Sequence, residues 1–164
     1  MKKLLAFCFA LLFAGSLYAQ GGMGKLPRED VVMLSQVVRD SLSDEMFGHI
    51  LNLKRYALAG NLDSAATEIA WNGGATKEGR WAHACSLANQ LEADHVKEVV
   101  EKFRKMFTEY PDMHQEYFAV FKSKDSPAGQ MMHYQINLVK GNKKRMVSFH
   151  YFPIGDRLLY GESN

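Results

Sequence analysis

The spacing of apolar residues changes once along this chain, at Pro111, and that change restricts the fold more than any other feature of the sequence. Before Pro111 apolar positions recur every three or four residues, the repeat of a helix with one buried face. After it they alternate, the repeat of a strand with one buried face. Helices first and strands last, with short turns between the strands, predict an α+β fold: amino-terminal helices packed on one face of a curved antiparallel sheet of about four strands. No internal repeat or linker breaks the pattern, so residues 27–164 are expected to form a single domain.

The strand half is the more tightly determined. Alternation predicts strands over 116–122, 131–140, 144–152 and 157–162, with a turn over 125–129. Gly141 and Asn142 suit a two-residue hairpin turn, which pairs Lys140 with Lys143 and fixes every pair beyond it. Tyr134 then opposes Phe149 and His133 opposes His150. One face collects Met132, Tyr134, Ile136, Leu138, Val147, Phe149 and Tyr151, and the other collects His133, Gln135, Asn137, Lys144, Met146, Ser148 and His150. The first set is apolar throughout, as a core face must be. Pairing Phe152 with Arg157 across the next turn would add Leu158 and Tyr160 to it.

In the helical half, Val31, Leu34, Val38 and Leu42 suggest a first helix after Pro27. A second is expected to be capped by Ser43, to bury Met46, Phe47, Ile50, Leu53 and Ala57, and to stop at Gly60 and Asn61. Asp63 would cap a short third helix through Ala65, Ala66 and Ile69, ended by Asn72, Gly73 and Gly74. From Trp81 to Phe107 the spacing is again helical, with a break expected near Ala93 and Asp94, where Asp94 would serve as an internal cap.

Residues 1–19 have the three-part layout of a secretory signal peptide: Lys2 and Lys3, an apolar stretch from Leu4 to Phe13, then small residues ahead of Ala19. The apolar stretch falls short of the ~20 residues that span a bilayer, which favours a cleaved leader over a membrane anchor. Residues 20–26 read as a flexible, glycine-rich tail. Cleavage after Ala19 would remove Cys8 and leave Cys85 alone, excluding an intramolecular disulfide. Cys85 lies in an apolar helical pattern with Trp81, Ala84, Ala88 and Leu91, where a small buried apolar residue is expected. The expected location is the periplasm or the exterior.

Charge narrows the partners. The chain has 20 basic and 18 acidic residues, and losing Lys2 and Lys3 leaves 18 of each, which excludes nucleic-acid binding through bulk charge. The remaining candidates are a small molecule or another protein, and a homodimer is compatible with the pattern.

The stretch from Tyr56 to Ala66, the run Trp71, Asn72, Gly73, Gly74, the pair Arg80 and Trp81, and the closing segment 147–161 resemble secreted bacterial proteins of uncharacterised function with cystatin-like and nuclear transport factor 2-like α+β folds. The resemblance implies a cone between sheet and helices that often holds a small apolar ligand, and isomerase or dehydratase activity in a few members. Their catalytic signatures have no residue-by-residue match here, so no catalytic residue is assigned.

Motif chemistry is sparse. The chain contains no Gly-x-Ser-x-Gly elbow, no phosphate-binding glycine loop, no His-Glu-x-x-His and no Cys-x-x-Cys. Two constellations remain. Tyr134, Phe149, Tyr151 and Tyr160, on the helix-facing side, could line a pocket or simply fill the core. On the opposite face Met131, His133, Met146 and His150 form a surface patch, but two imidazoles and flexible thioethers are too few ligands for a tight metal site, so no metal or cofactor is expected. Lys140, Lys143, Lys144 and Arg145 bracket the hairpin turn, where cations keep an exposed tip soluble. The overall reading is a secreted binding or interaction module rather than an enzyme, with a small-molecule-binding or isomerase-like protein using the cone as the alternative.

Overall fold

The computed structural model describes residues 35–122, 126, 127 and 129–161. The leader, the tail and the start of the expected first helix lie outside these residues. Helix α1 (Gln36–Ala59), a short α2 (Leu62–Ala66) and α3 (Gln90–Glu109) are followed by strands β1 (Asp112–Lys122), β2 (Gln130–Lys140), β3 (Lys143–Ile154) and β4 (Arg157–Tyr160). The strands form one curled antiparallel sheet in the order β1-β2-β3-β4.

The helix-facing side of the sheet carries the main core. Met46, Ile50, Leu53 and Ala57 of α1 and Val96, Val99, Val100, Phe103 and Phe107 of α3 pack on Tyr134, Ile136, Leu138, Phe149, Tyr151, Leu158 and Tyr160. The Phe103 ring meets Tyr160 at 5.1 Å and Phe149 at 5.6 Å, both edge-on, the arrangement that aligns a ring's positive edge with its neighbour's negative face.

The hairpin has the register expected from its turn: Lys140 opposes Lys143, Tyr134 opposes Phe149 and His133 opposes His150, with Gly141 supplying the positive φ of 56°. The last turn differs. Gly155 and Asp156 form it, so Ile154 pairs with Arg157 and Phe152 with Leu159. The expected Phe152–Arg157 pairing was off by two residues, and because strand faces repeat every two residues, Leu158 and Tyr160 still reach the core. Strands β1 and β3 also begin or extend beyond the expected limits, and β4 ends at Tyr160.

The helical half requires five corrections. The expected first and second helices are one helix, α1, capped by Ser35, whose side chain accepts a hydrogen bond from the Val38 amide at 3.3 Å. Ser43 is not a cap; it is buried inside α1, where its hydroxyl accepts from the Gln115 side-chain amide of β1. Asn61, rather than Asp63, caps α2, accepting from the Ser64 amide at 3.0 Å, while Gly60 supplies the left-handed stop of α1. Asn89, rather than Asp94, caps α3. Asp94 is exposed within that helix and bonded to Gln90 and Lys97. Residues 81–89 are not helical.

The non-helical segments extend the sheet. Ile69 forms a parallel bridge with Tyr160, and Ala70 an antiparallel bridge with Ala84. Trp81 then crosses to the outer side of the sheet, stacking on Phe152 at 4.6 Å and 8° and closing a second core with Ala70 and Leu159. Gly161 passes beneath this stack. A Cβ there would lie 2.6 Å from Trp81 and 2.7 Å from Phe152. Gly161→Ala is therefore expected to destabilise the protein by about 1–3 kcal/mol through overpacking, with a change in tryptophan fluorescence reporting the displaced stack. Equal denaturation midpoints for the two proteins would contradict this packing.

Candidate functional site

Trp71 supplies the scaffold of a recess with polar groups in its lining. Its backbone amide donates to the His83 carbonyl at 2.9 Å, its carbonyl accepts from the Trp81 amide at 2.8 Å, and its indole N–H donates to the Glu78 carbonyl at 3.2 Å. The intervening chain winds around the indole. Gly74 and Gly79 make close approach possible, since a Cβ on Gly74 would sit 3.3 Å from the ring and one on Gly79 3.7 Å from it. Gly73 is more constrained still, with an added Cβ 2.5 Å from the Lys77 backbone. Positive φ also occurs at Lys77 (59°) and Trp81 (56°), two non-glycine residues in a region that costs L-residues energy and that concentrates at functional sites.

Between this loop and the first turns of α3 lies an open cleft of about 610 Å³. His83 and His95 both line it. The His83 Nε2 lies 3.3 Å from Glu92 Oε1, and the other Glu92 oxygen accepts from the Ser86 amide at 2.7 Å, so a buried carboxylate orients a half-exposed imidazole. His95 Nδ1 accepts from the Asn72 side-chain amide at 3.2 Å, and the ring meets Trp71 edge-on at 5.9 Å. Asn72 also accepts from the Gly74 amide at 2.9 Å, tying the imidazole to the loop. Three carboxylates, Glu78, Asp94 and Glu98, face the cleft, with no lysine or arginine in its lining. Leu91, expected in the core, is 69% exposed at its edge.

None of the candidate pocket or patch residues expected from sequence lines this cleft, whereas the motif run Trp71, Asn72, Gly73 and Gly74 does. Tyr134, Phe149, Tyr151 and Tyr160 are buried in the main core. Burial pushes the Tyr134 phenol up to about 12 against the opposing effect of a hydrogen bond with Ser43, and pushes Tyr151 well above its ordinary value; the Tyr151 hydroxyl has no hydrogen-bond partner among the described residues. Beside Tyr151, at 5.9 Å between rings, His49 Nδ1 lies 2.5 Å from the buried Glu68 carboxylate, whose hydrogen bond raises the His49 pKa. This internal ion pair joins two residues that local sequence spacing does not connect.

On the outer face His133 Nδ1 and His150 Nε2 lie 3.0 Å apart and share a hydrogen bond. Met131 packs on the second core, whereas Met146 is exposed. Among the described residues no group of three or more histidine, cysteine, aspartate or glutamate side chains is arranged to hold a metal ion. Cys85 is buried, and burial, reinforced by Glu92, pushes its thiol up to about 12, far from a nucleophilic thiolate at neutral pH.

No known protein family, curated protein or solved structure matches this chain.

The histidines make stability depend on pH in opposite directions. Burial, then the neighbouring His133, lowers His150 to about 4, and burial also lowers His133. Neutral imidazoles at this pair stabilise the fold above pH 6.5, and that contribution is lost as pH falls toward 4. His49 has a raised pKa, so its contribution is complete below pH 6.5 and disappears as pH rises through the raised value. Replacing His150 by glutamine is expected to remove on the order of 1–2 kcal/mol of the stability lost between pH 7 and pH 5, while His49→Gln flattens the alkaline side. Urea unfolding across pH measures both; an acid limb unchanged by His150→Gln would contradict the first.

Proposed function

We propose that this chain is an exported binding module whose ligand sits in the cleft between the Trp71 loop and α3. The single observation that carries this reading is the loop itself: glycines and the left-handed Lys77 shape its exposed backbone around Trp71, beside an open recess with two oriented imidazoles. Export rests on the layout of residues 1–19. Kinship with cystatin-like or nuclear transport factor 2-like proteins rests on the order of helices and strands and on the motifs around Trp71 and 147–161. The recess itself favours a small polar ligand rich in hydrogen-bond donors, because its lining carries the Glu78, Asp94 and Glu98 carboxylates, which accept hydrogen bonds, and no lysine or arginine.

A second reading keeps the cone between sheet and helices as the site. Its support is the buried Tyr151 hydroxyl, without a partner among the described residues and next to His49 and Glu68, since buried polar groups are normally satisfied.

The two readings separate in one experiment. Small ammonium compounds and polyols are titrated into isotope-labelled protein, and amide shifts are mapped. Binders are expected to move residues 71–83 and 89–98, and Ala75→Trp, which fills the cleft from an exposed loop position, is expected to weaken them at least tenfold. Shifts around β2 and β3 that survive Ala75→Trp and disappear in Tyr151→Phe would assign the site to the cone instead.

A further inference from the structure

At the opposite pole from acidic chemistry stands the β2–β3 hairpin. None of the 18 acidic residues of the chain falls between Ser126 and Gly155, whereas Lys140, Lys143, Lys144 and Arg145 crowd its tip. All four are exposed, and among the described residues none is in an ion pair. By register, Lys140, Lys143 and Arg145 share one face and Lys144 the other. The nearest carboxylate by register is Asp112 of β1, which opposes Val139 and so lies two strands from Lys144. Directly below the cations Met146 is 55% exposed. Four cations exceed what a single edge-protecting lysine requires, even though β4 pairs only with residues 151–154 of β3 and leaves the β3 edge at the tip without a strand partner among the described residues.

We infer that the hairpin tip docks on an anionic phospholipid surface, with Lys140, Lys143, Lys144 and Arg145 meeting headgroup phosphates and Met146 reaching the interface. The tip is convex, ending in a two-residue turn, and a convex cationic point fits a broad, deformable charged plane without needing a matching cavity. Residues 139–146 contain no aromatic side chain on which nucleic-acid bases could stack, which disfavours single-stranded RNA or DNA. Each cation near such a membrane contributes roughly fivefold in partitioning, so four give reversible, salt-sensitive attachment rather than permanent anchoring. The attachment is independent of the cleft.

The test is co-sedimentation of the full chain with vesicles of phosphatidylcholine alone and of equal parts phosphatidylcholine and phosphatidylglycerol. The ratio of the two partition coefficients cancels any apolar contribution common to both. Lys143→Gln with Lys144→Gln is expected to lower that ratio about 25-fold, and raising salt from about 0.05 M to about 0.5 M to lower it comparably. Lys97→Gln with Lys105→Gln removes the same charge from α3 and is expected to change it less than twofold. Lys140→Gln with Lys143→Gln provides a second tip variant should the first fold poorly. Equal losses for tip and helix variants, no preference of the wild type for anionic vesicles, or displacement by polyuridylate at a lower phosphate concentration than by lipid would each overturn the proposal.

Discussion

Everything distinctive about this molecule depends on a short strip of backbone, Ile69 to Trp71, hydrogen-bonded on both sides. The Ala70 amide donates to the Tyr160 carbonyl at 2.7 Å, and the Cys85 amide donates to the Ile69 carbonyl at 2.8 Å. The strip therefore adds a rung to the sheet beyond β4 and leaves that edge covered rather than open to another chain. It also delivers Trp71 to the place where the loop must turn. With both ends of the loop pinned to the same tryptophan backbone, the chain between them can adopt left-handed conformations that it would otherwise not hold.

The strip also explains how α3 and the loop come to face each other. Glu92, in the first turn of α3, sends one carboxylate oxygen to the Ser86 amide and the other to His83, so the helix start and the returning loop share a single buried acid. The Asn72 side chain makes the matching link from the loop to His95. Two histidines, one from the returning segment and one from the helix, are thereby fixed at one recess by partners from the other element.

How much of this was legible in sequence depends on whether local or distant interactions decide each segment. The hairpin was legible because Gly141 and Asn142 set the register, and the alternation from Met132 to Tyr151 agrees with it. The segment 81–88 was not. Trp81, Ala84, Cys85 and Ala88 satisfy a helical template by spacing alone, but residues 83–85 gain backbone partners on Ile69–Trp71, and a tertiary bridge outweighs a weak local preference. Ser43 and Asp94 misled for a related reason: each is a good cap, yet no break in the helix exists where it stands, and Ser43 is instead engaged by Gln115, far along the chain. Nothing in the spacing of His83, Glu92, Asn72 and His95 marks them as neighbours; the cluster of Gly73, Gly74 and Gly79 was the one available signal that the backbone there does something unusual.

Amide hydrogen exchange tests the role of the strip most directly. The Ala70, Trp71, Trp81 and Cys85 amides, all donors in the bonds that pin the loop, are predicted to be protected to the same order as those of Tyr134 and Phe149 in the central strands, while Ala75 at the loop's exposed crest exchanges much faster. Exchange of those four amides at the rate of Ala75 would contradict the account, because the loop would then be held by something other than the Ile69–Trp71 strip.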